Sequence, residues 1–377
     1  MTTQQVEFTY EELIMDDDFA EPLLANGVRC HGGFDEDGTY VSPRTRFRGP
    51  AIDAWEEQRL ERTGKDPMGM PLDTWPESFP NIEQSKFLIR NGAPQQTITS
   101  LTRIGTVEGF GAMMRHLPLP DFQVVIDDDI RGTATEHIRK GLFESHARDE
   151  AGWEDEAGHN LMWFAARDIA FENPVSEDQT NAMLARMGIP DTSKLTMDDF
   201  ARMRDAAMKA RVLPDDIDFN FESMLSRMIG LLFIEISAFH TFAWAEGVLA
   251  DPDLCAGDGE AARIVSYIRQ DESPHVGYLK LALSEMRDWT WVGESGQKYD
   301  GAELIQKVWD KSLAESRFGR RGDLLRLTMG EIEDSLEGRA DKDDLVDELF
   351  SLGAVQRHED GSFTERLHNG DEVHVPA

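Results

Sequence analysis

Asp271-Glu272-Ser273-Pro274-His275, read with its near copy Asp155-Glu156-Ala157-Gly158-His159, is the stretch around which the chain is organised. Both have the form Asp-Glu-x-x-His, they lie 116 residues apart, and each falls within a segment that reads as helix. A Glu and a His three positions apart share a helix face, so both side chains can be aimed at one point. Two such pairs on different helices, each joined by a Glu from a neighbouring helix, make the ligand set that holds two metal ions inside a four-helix bundle. One Glu-x-x-His arises readily by chance. Two, both helical and both preceded by Asp, do so far less often.

The second motif sits on a clean apolar face, with Val265, Ile268, Val276, Leu279 and Leu283 around Glu272 and His275. One helix earlier, Met224, Met228, Leu231, Leu232, Phe239 and Phe242 surround Glu235 in the same way. Burying a polar group without a partner costs roughly 2–7 kcal/mol, and an ionised carboxylate more. Neither face carries Lys or Arg, so a compensating cation is expected, and metal ions would serve both. Glu235 lies about 15 residues before its helix ends and Glu272 about 14 after the next begins, so at ~1.5 Å per residue they meet level across an antiparallel hairpin. Glu246 shares the Glu235 face but lies three turns nearer the turn. Pro274 either kinks this helix or starts a new one capped by Ser273; the kink is preferred here.

The first motif is less regular. Gln96 to Arg115 reads as a helix with Glu108 on a stripe of Thr97, Leu101, Ile104, Gly111 and Ala112, followed by an extended Phe122 to Ile126. A very long helix, Asp128 to Phe171, then carries Glu156 on a face shared with Ile138, Leu142, Asp149, Trp153, Trp163 and Arg167. Glu108 and Glu156 are offset by about 20 residues, roughly 30 Å of helix, which residues 117–127 can just span if extended. Glu144, Asp149 and Glu150 are the alternatives if the long helix is broken near Gly152.

These residues resemble the ferritin-like di-iron carboxylate superfamily: the ribonucleotide reductase small subunit, bacterial multicomponent monooxygenases, acyl-carrier-protein desaturases and p-aminobenzoate N-oxygenases. The resemblance covers about 96–290 and rests on Glu, Glu-x-x-His, Glu, Glu-x-x-His in that order. It implies an all-α, ferritin-like four-helix bundle. Glu108, Glu156 and His159 would serve one metal and Glu235, Glu272 and His275 the other, one Glu of each half bridging. It implies two iron ions, with a Mn/Fe or di-manganese pair as variants, and O2 as co-substrate. The chemistry implied is oxidation of a small organic substrate by a di-iron monooxygenase or oxidase. A radical-generating, reductase-like subunit and a non-catalytic iron-binding protein are the other readings. By the same analogy Tyr267 is a redox side chain, against the plainer reading that it fills a core edge. The extra His that N-oxygenases carry four residues before a ligand Glu is missing from both motifs, where Gly152 and Ile268 stand. His146 and His240 read as ordinary core or surface histidines.

With 38 basic and 72 acidic residues the net charge is −34, which argues against binding nucleic acid or an anionic membrane surface. Solubility or a salt-adapted host explains the acidity. Cys30 and Cys255 are the only cysteines, so no disulfide framework and no cysteine-based metal site is expected. The start, Met1 to Phe19, lacks a signal-peptide pattern, and the apolar run Met228 to Leu249 is interrupted by Glu235, His240 and Glu246, as suits a buried helix rather than a membrane span. The expected setting is cytoplasmic. No nucleotide-binding fingerprint is present, so electrons would come from an external reductase or ferredoxin.

Three regions are expected. Residues 1–94 form a wrapping arm with short helices at Glu11–Leu24 and Ala51–Thr63, suited to covering the bundle or to a homodimer contact. Residues 95–290 form the bundle, with 172–213 as a connection holding a short helix at Met197–Ala210. Residues 291–377 add helices near Ala302–Ser316, Asp323–Leu336 and Lys342–Leu352 and a small C-terminal hairpin about Asn369-Gly370.

Overall fold

The computed structural model describes residues 5–171, 175–186, 196–316 and 321–377. They are mainly helical, with three small antiparallel sheets. The arm opens on α1 (Tyr10–Leu13), one turn closed by a capping box between Thr9 and Glu12. The longer helix expected at 11–24 does not form. Glu21–Ala25 is strand β1 instead, turning through left-handed Asn26 and Gly27 into β2 (Val28–Phe34), with β3 (Tyr40–Val41) on the far edge. Asn26-Gly27 between two short runs is the sequence signal of such a hairpin. Helix α2 (Thr45–Thr63) starts six residues before the expected Ala51, and α3 (Ile82–Arg90) follows.

Helix α4 (Gln95–Phe110) tightens into a 3-10 segment, Gly111–His116, and α5 (Phe122–Val125) is a single turn where extended chain was expected. The single helix expected over 128–171 is broken into pieces. These are α6 (Ala134–His137), a wide turn at 138–142, α7 (Phe143–Ala151) and α8 (His159–Phe171). Glycine makes both breaks. Gly141 has φ 128° and Gly152 has φ 80°, ψ 173°, conformations closed to side-chain-bearing residues. Next come α9 (Glu177–Arg186) and α10 (Met197–Lys209), the latter capped by Thr196; the rest of the 172–213 connection lies partly outside the described residues.

Helices α11 (Phe219–Leu249) and α12 (Glu260–Asp288) form the predicted antiparallel hairpin. Helix α12 runs through Pro274 without interruption, so no new helix begins at Ser273. By length and composition α11 could cross a membrane, but half of its most apolar window is buried within the protein. It packs along α12 and α13 (Gly301–Ala314), which follows strands β4 (Thr290–Val292) and β5 (Lys298–Asp300). The C-terminal region holds α14 (Arg321–Ser335), α15 (Lys342–Ser351) and a three-stranded sheet, β6 (Val355–Arg357), β7 (Phe363–Arg366) and β8 (Glu372–Val375). It has its own small core of Leu325, Ile332, Leu349 and Phe363 closed against Leu88 of α3.

Two larger apolar cores divide the helical body. One gathers the first half of α11 and the second half of α12, including Phe221, Leu232, Leu279 and Met286. The other gathers α8 with the opposite halves, including Trp163, Phe242, Val265 and Ile268. The level between them, at Glu235 on α11 and Glu272 on α12, is polar.

Candidate metal centre

At that level the helix hairpin aligns Glu235, Glu272 and His275, all buried. Helix α7 adds His146 and Glu150, α8 opens with His159, and α4 supplies Glu108 from the other side. Their ligand atoms fall into two overlapping groups, each with every atom within 4.8 Å of the others. One is His146, Glu150, Glu235 and His275; the other is Glu108, Glu150, His159 and Glu272. Glu150 belongs to both. Glu272 also faces both, with Oε2 2.6 Å from His275 Nδ1 and Oε1 3.0 Å from His159 Nδ1.

Glu156 is not among them. Residues 152–158 leave the helix as a pinched turn, in which Trp153 and Glu156 exchange backbone hydrogen bonds. A Cβ on Gly152 would lie 2.3 Å from the Glu156 carbonyl oxygen, and one on Gly158 2.2 Å from the Gly152 nitrogen, so the turn closes only with glycine at both ends. Strand β2 clamps it from outside: the His31 N–H donates to the Ala157 carbonyl and the Ala157 N–H to that of Arg29. The Glu156 carboxylate pairs with Arg29 at 2.8 Å, and Trp153 lies half-exposed under Arg148. His159 therefore joins the cluster eight residues beyond the end of the Glu150 turn rather than from a shared helix face with Glu156. Four residues before Glu150 stands His146, so a histidine absent at that spacing from Glu156 is present relative to Glu150. With Glu150 as its neighbour, Glu108 reaches the cluster without a stretched linker.

The remaining candidates lie outside the set of inward-facing ligands. Glu144 pairs with Arg148 and Arg115, and Glu246 with Arg269 at 2.7 Å. Tyr267 stacks on Tyr40 at 4.4 Å between ring centres, away from the cluster. His240 Nε2 donates to the Leu72 carbonyl at 2.8 Å and does not face the centre.

Asp149 is buried but looks outward from the cluster. Its carboxylate accepts from Arg44 and Arg48, at 2.8 and 2.6 Å, and lies 2.9 Å from His275 Nε2. Asp271 repeats this arrangement in the other half. It accepts from Tyr40 Oη at 2.8 Å and lies 3.3 Å from His31 Nε2 and 3.5 Å from His159 Nε2. Each Asp thus faces the outer nitrogen of a cluster histidine, leaving Nδ1 turned inward. His146 has an outer partner too, Tyr278, whose hydroxyl is 3.0 Å from Nδ1, so its Nε2 points to the centre. An outer hydrogen bond that fixes ring and tautomer is the common companion of a metal-binding histidine.

Charges follow this layout. Burial, together with neighbouring carboxylates Glu150 and Glu272, pushes Glu108 well above the usual carboxylate range. Glu235 is raised in the same way by burial and by Glu272. Burial and Glu272 also act on Glu150, but His159 and His275 hold it at about 2. Glu272, despite burial, is held well below normal by the same histidines. In return His159 and His275 are raised well above the ordinary value against burial by Glu272, with Glu150 adding to both. His146 is lowered to about 3 by burial and by adjacent His275. Asp149, although buried, stays well below normal because Arg48 and Arg44 face it.

The donor set suits a pair of divalent ions. His146 Nε2, His159 Nδ1, both Glu150 oxygens and Glu272 Oε1 are buried and lack a well-aligned hydrogen bond. Such orphaned, converging atoms are costly unless something cationic meets them. Four carboxylates and three imidazoles with no thiolate suit iron or manganese. Beside them lies a cavity of about 370 Å3, walled by Val107, Phe110, Met113, Met114, Leu231 and Ile234 and ending on Glu108, Glu150 and Glu235. No protein-family model, curated protein or solved structure matches the chain.

Proposed function

We propose that the protein is a di-iron oxidase or oxygenase of ferritin-like type that uses O2 to oxidise a small organic substrate. The observation that carries this reading is the apolar cavity ending on three carboxylates of the cluster. Iron storage calls for a polar path for ions, whereas this approach is lined by apolar side chains. Glu235, His275 and His146 would hold one ion and Glu108 and His159 the other, with Glu150 and Glu272 between them. When bound, the metal pair would supply the electrons that activate O2. One oxygen atom would enter a substrate C–H bond and the other leave as water, with two electrons and two protons drawn from an external donor and solvent.

The chain's own residues prepare that chemistry. Asp149, fixed by Arg44 and Arg48, keeps the His275 Nε2 proton outside and its Nδ1 lone pair inside; Asp271 and Tyr40 do the same for His159. For His146 to present Nε2, its Nδ1–H donates to the Tyr278 oxygen. Phe110, Met114 and Leu231 give the side where Glu108, Glu150 and Glu235 meet the cavity an apolar wall. A second reading, storage of a radical on a tyrosine, draws on Tyr278 beside His146, and electron paramagnetic resonance after O2 exposure distinguishes it.

The test is anaerobic loading with ferrous iron followed by O2. Two ions per chain, an iron-dependent absorption change, and O2 uptake that rises with reductant and an organic substrate are expected. Less than one ion per chain, unchanged by Glu272→Ala, would sink the reading.

A further inference from the structure

We infer that the cavity binds an apolar organic acid of medium length, with its carboxylate at the mouth on Arg227 and its apolar end over Glu108, Glu150 and Glu235. This rests on the oxidase reading and names the substrate class for it.

Arg227 is the single basic residue in the cavity lining, it is exposed, and it has no ion pair or hydrogen bond among the described residues. In a chain with 72 acidic and 38 basic residues, a guanidinium left without an acidic partner is available to an anion from outside. Arg227, Leu231 and Ile234 follow one stripe of α11 down to Glu235. The eight residues from Arg227 to Glu235 span about 12 Å, so the anionic and reacting ends of the ligand are separated by the length of a medium alkyl chain or a fused-ring body. The lining offers one guanidinium and no other cation, so a monoanion is favoured over a doubly charged phosphate.

Gly230 supports the same conclusion independently. It sits in the interior of α11, where glycine weakens a helix, yet a Cβ there would meet nothing within 4 Å. No packing constraint calls for glycine. The open space it leaves is part of the cavity wall. At the rim Phe110, Met113 and Ile234 are 43%, 53% and 51% exposed, an apolar collar suited to the body of such a ligand.

The experiment is calorimetric titration of the full chain, metal-free and iron-loaded, with decanoate, decan-1-ol and decyl phosphate. Wild type should bind decanoate most tightly. Arg227→Gln should weaken decanoate about tenfold to hundredfold while leaving decanol unchanged, and Arg227→Lys should recover part of the loss. Gly230→Leu should weaken acid and alcohol alike while the helix is retained. Equal binding of decanoate and decanol, tighter binding of decyl phosphate, or an Arg227→Gln effect no larger on decanoate than on decanol overturns the inference. Normal loading of two metals alongside any of those results leaves the oxidase reading standing. Arg227-dependent decanoate binding in a protein that takes up no metal fails the oxidase reading instead.

Discussion

Asp149 and Asp271 occupy equivalent places in the two halves of the cluster. Each immediately precedes a cluster Glu and faces the outer nitrogen of the histidine belonging to the other half. Asp149 is the more exposed to disruption because two buried guanidiniums depend on it. Asp149→Asn keeps the shape but removes the charge, leaving Arg44 and Arg48 without a buried counter-ion. A loss of about 3–5 kcal/mol in unfolding free energy is expected. Metal affinity should also fall by about 10–100-fold, because His275 loses its orienting partner. Chemical denaturation and metal titration measure the two effects separately. Elsewhere on α12, burial pushes Glu285 up to about 7, although its carboxylate accepts from the backbone of Ala134 and Thr135 and from the Thr135 hydroxyl. A raised carboxyl pKa means stability that is present below its ordinary value of 4.5 and lost as pH climbs through 7. Between pH 5 and 8 the stability difference between wild type and Glu285→Gln should therefore shift toward the variant, by on the order of 3 kcal/mol. Denaturant titrations of both proteins across that range check it; a difference independent of pH contradicts it.

At the scale of elements, the unbroken helices were legible in sequence and the broken ones were not. Glu235 and Glu272 stand level because α11 and α12 each run without interruption, so counting residues at a fixed rise works. The same count fails on the other side. Gly141 and Gly152 take conformations that end a helix, and seven residues loop out between Glu150 and His159. Asp155-Glu156 then imitates the motif from within that loop, three residues before a genuine cluster histidine. A glycine inside a helical pattern is an available warning of such a break. The outer partners His31, Tyr40, Arg44 and Arg48 come from the arm, whose local pattern carries no trace of contacts to residues more than 100 positions away. Close approach of elements also yields a test. A Cβ on Gly111, at the junction of α4 and its 3-10 extension, would fall 2.3 Å from Glu150 Cγ. Gly111→Ala should preserve helix content by circular dichroism while displacing Glu150 and lowering metal content per chain. Unchanged metal content would mean Glu150 has room to spare.

For the molecule as a whole, the cluster balances its charge. Without metal, Glu108, Glu235, His159 and His275 favour their protonated forms, while Glu150 and Glu272 are ionised. Two carboxylates and two imidazolium ions leave the centre neutral. Two divalent ions bound to four carboxylates and three neutral imidazoles would leave it neutral as well. Metal uptake should therefore release about four protons per chain near neutral pH, and affinity should fall steeply as pH falls. Titration in weakly buffered solution with a pH indicator measures the release. Such exchange would let a body whose two apolar cores meet at this level hold seven ionisable groups without a net buried charge.

Anaerobic ferrous-iron stoichiometry in three proteins tests most directly whether a metal pair is held by Glu150 rather than by the motif residue Glu156. Wild type should bind two ions per chain. Glu156→Ala, which removes only a partly exposed pair with Arg29, should also bind two. Glu150→Ala should bind one or none. Two ions retained by Glu150→Ala and lost by Glu156→Ala would show that Glu156, not Glu150, holds the metal.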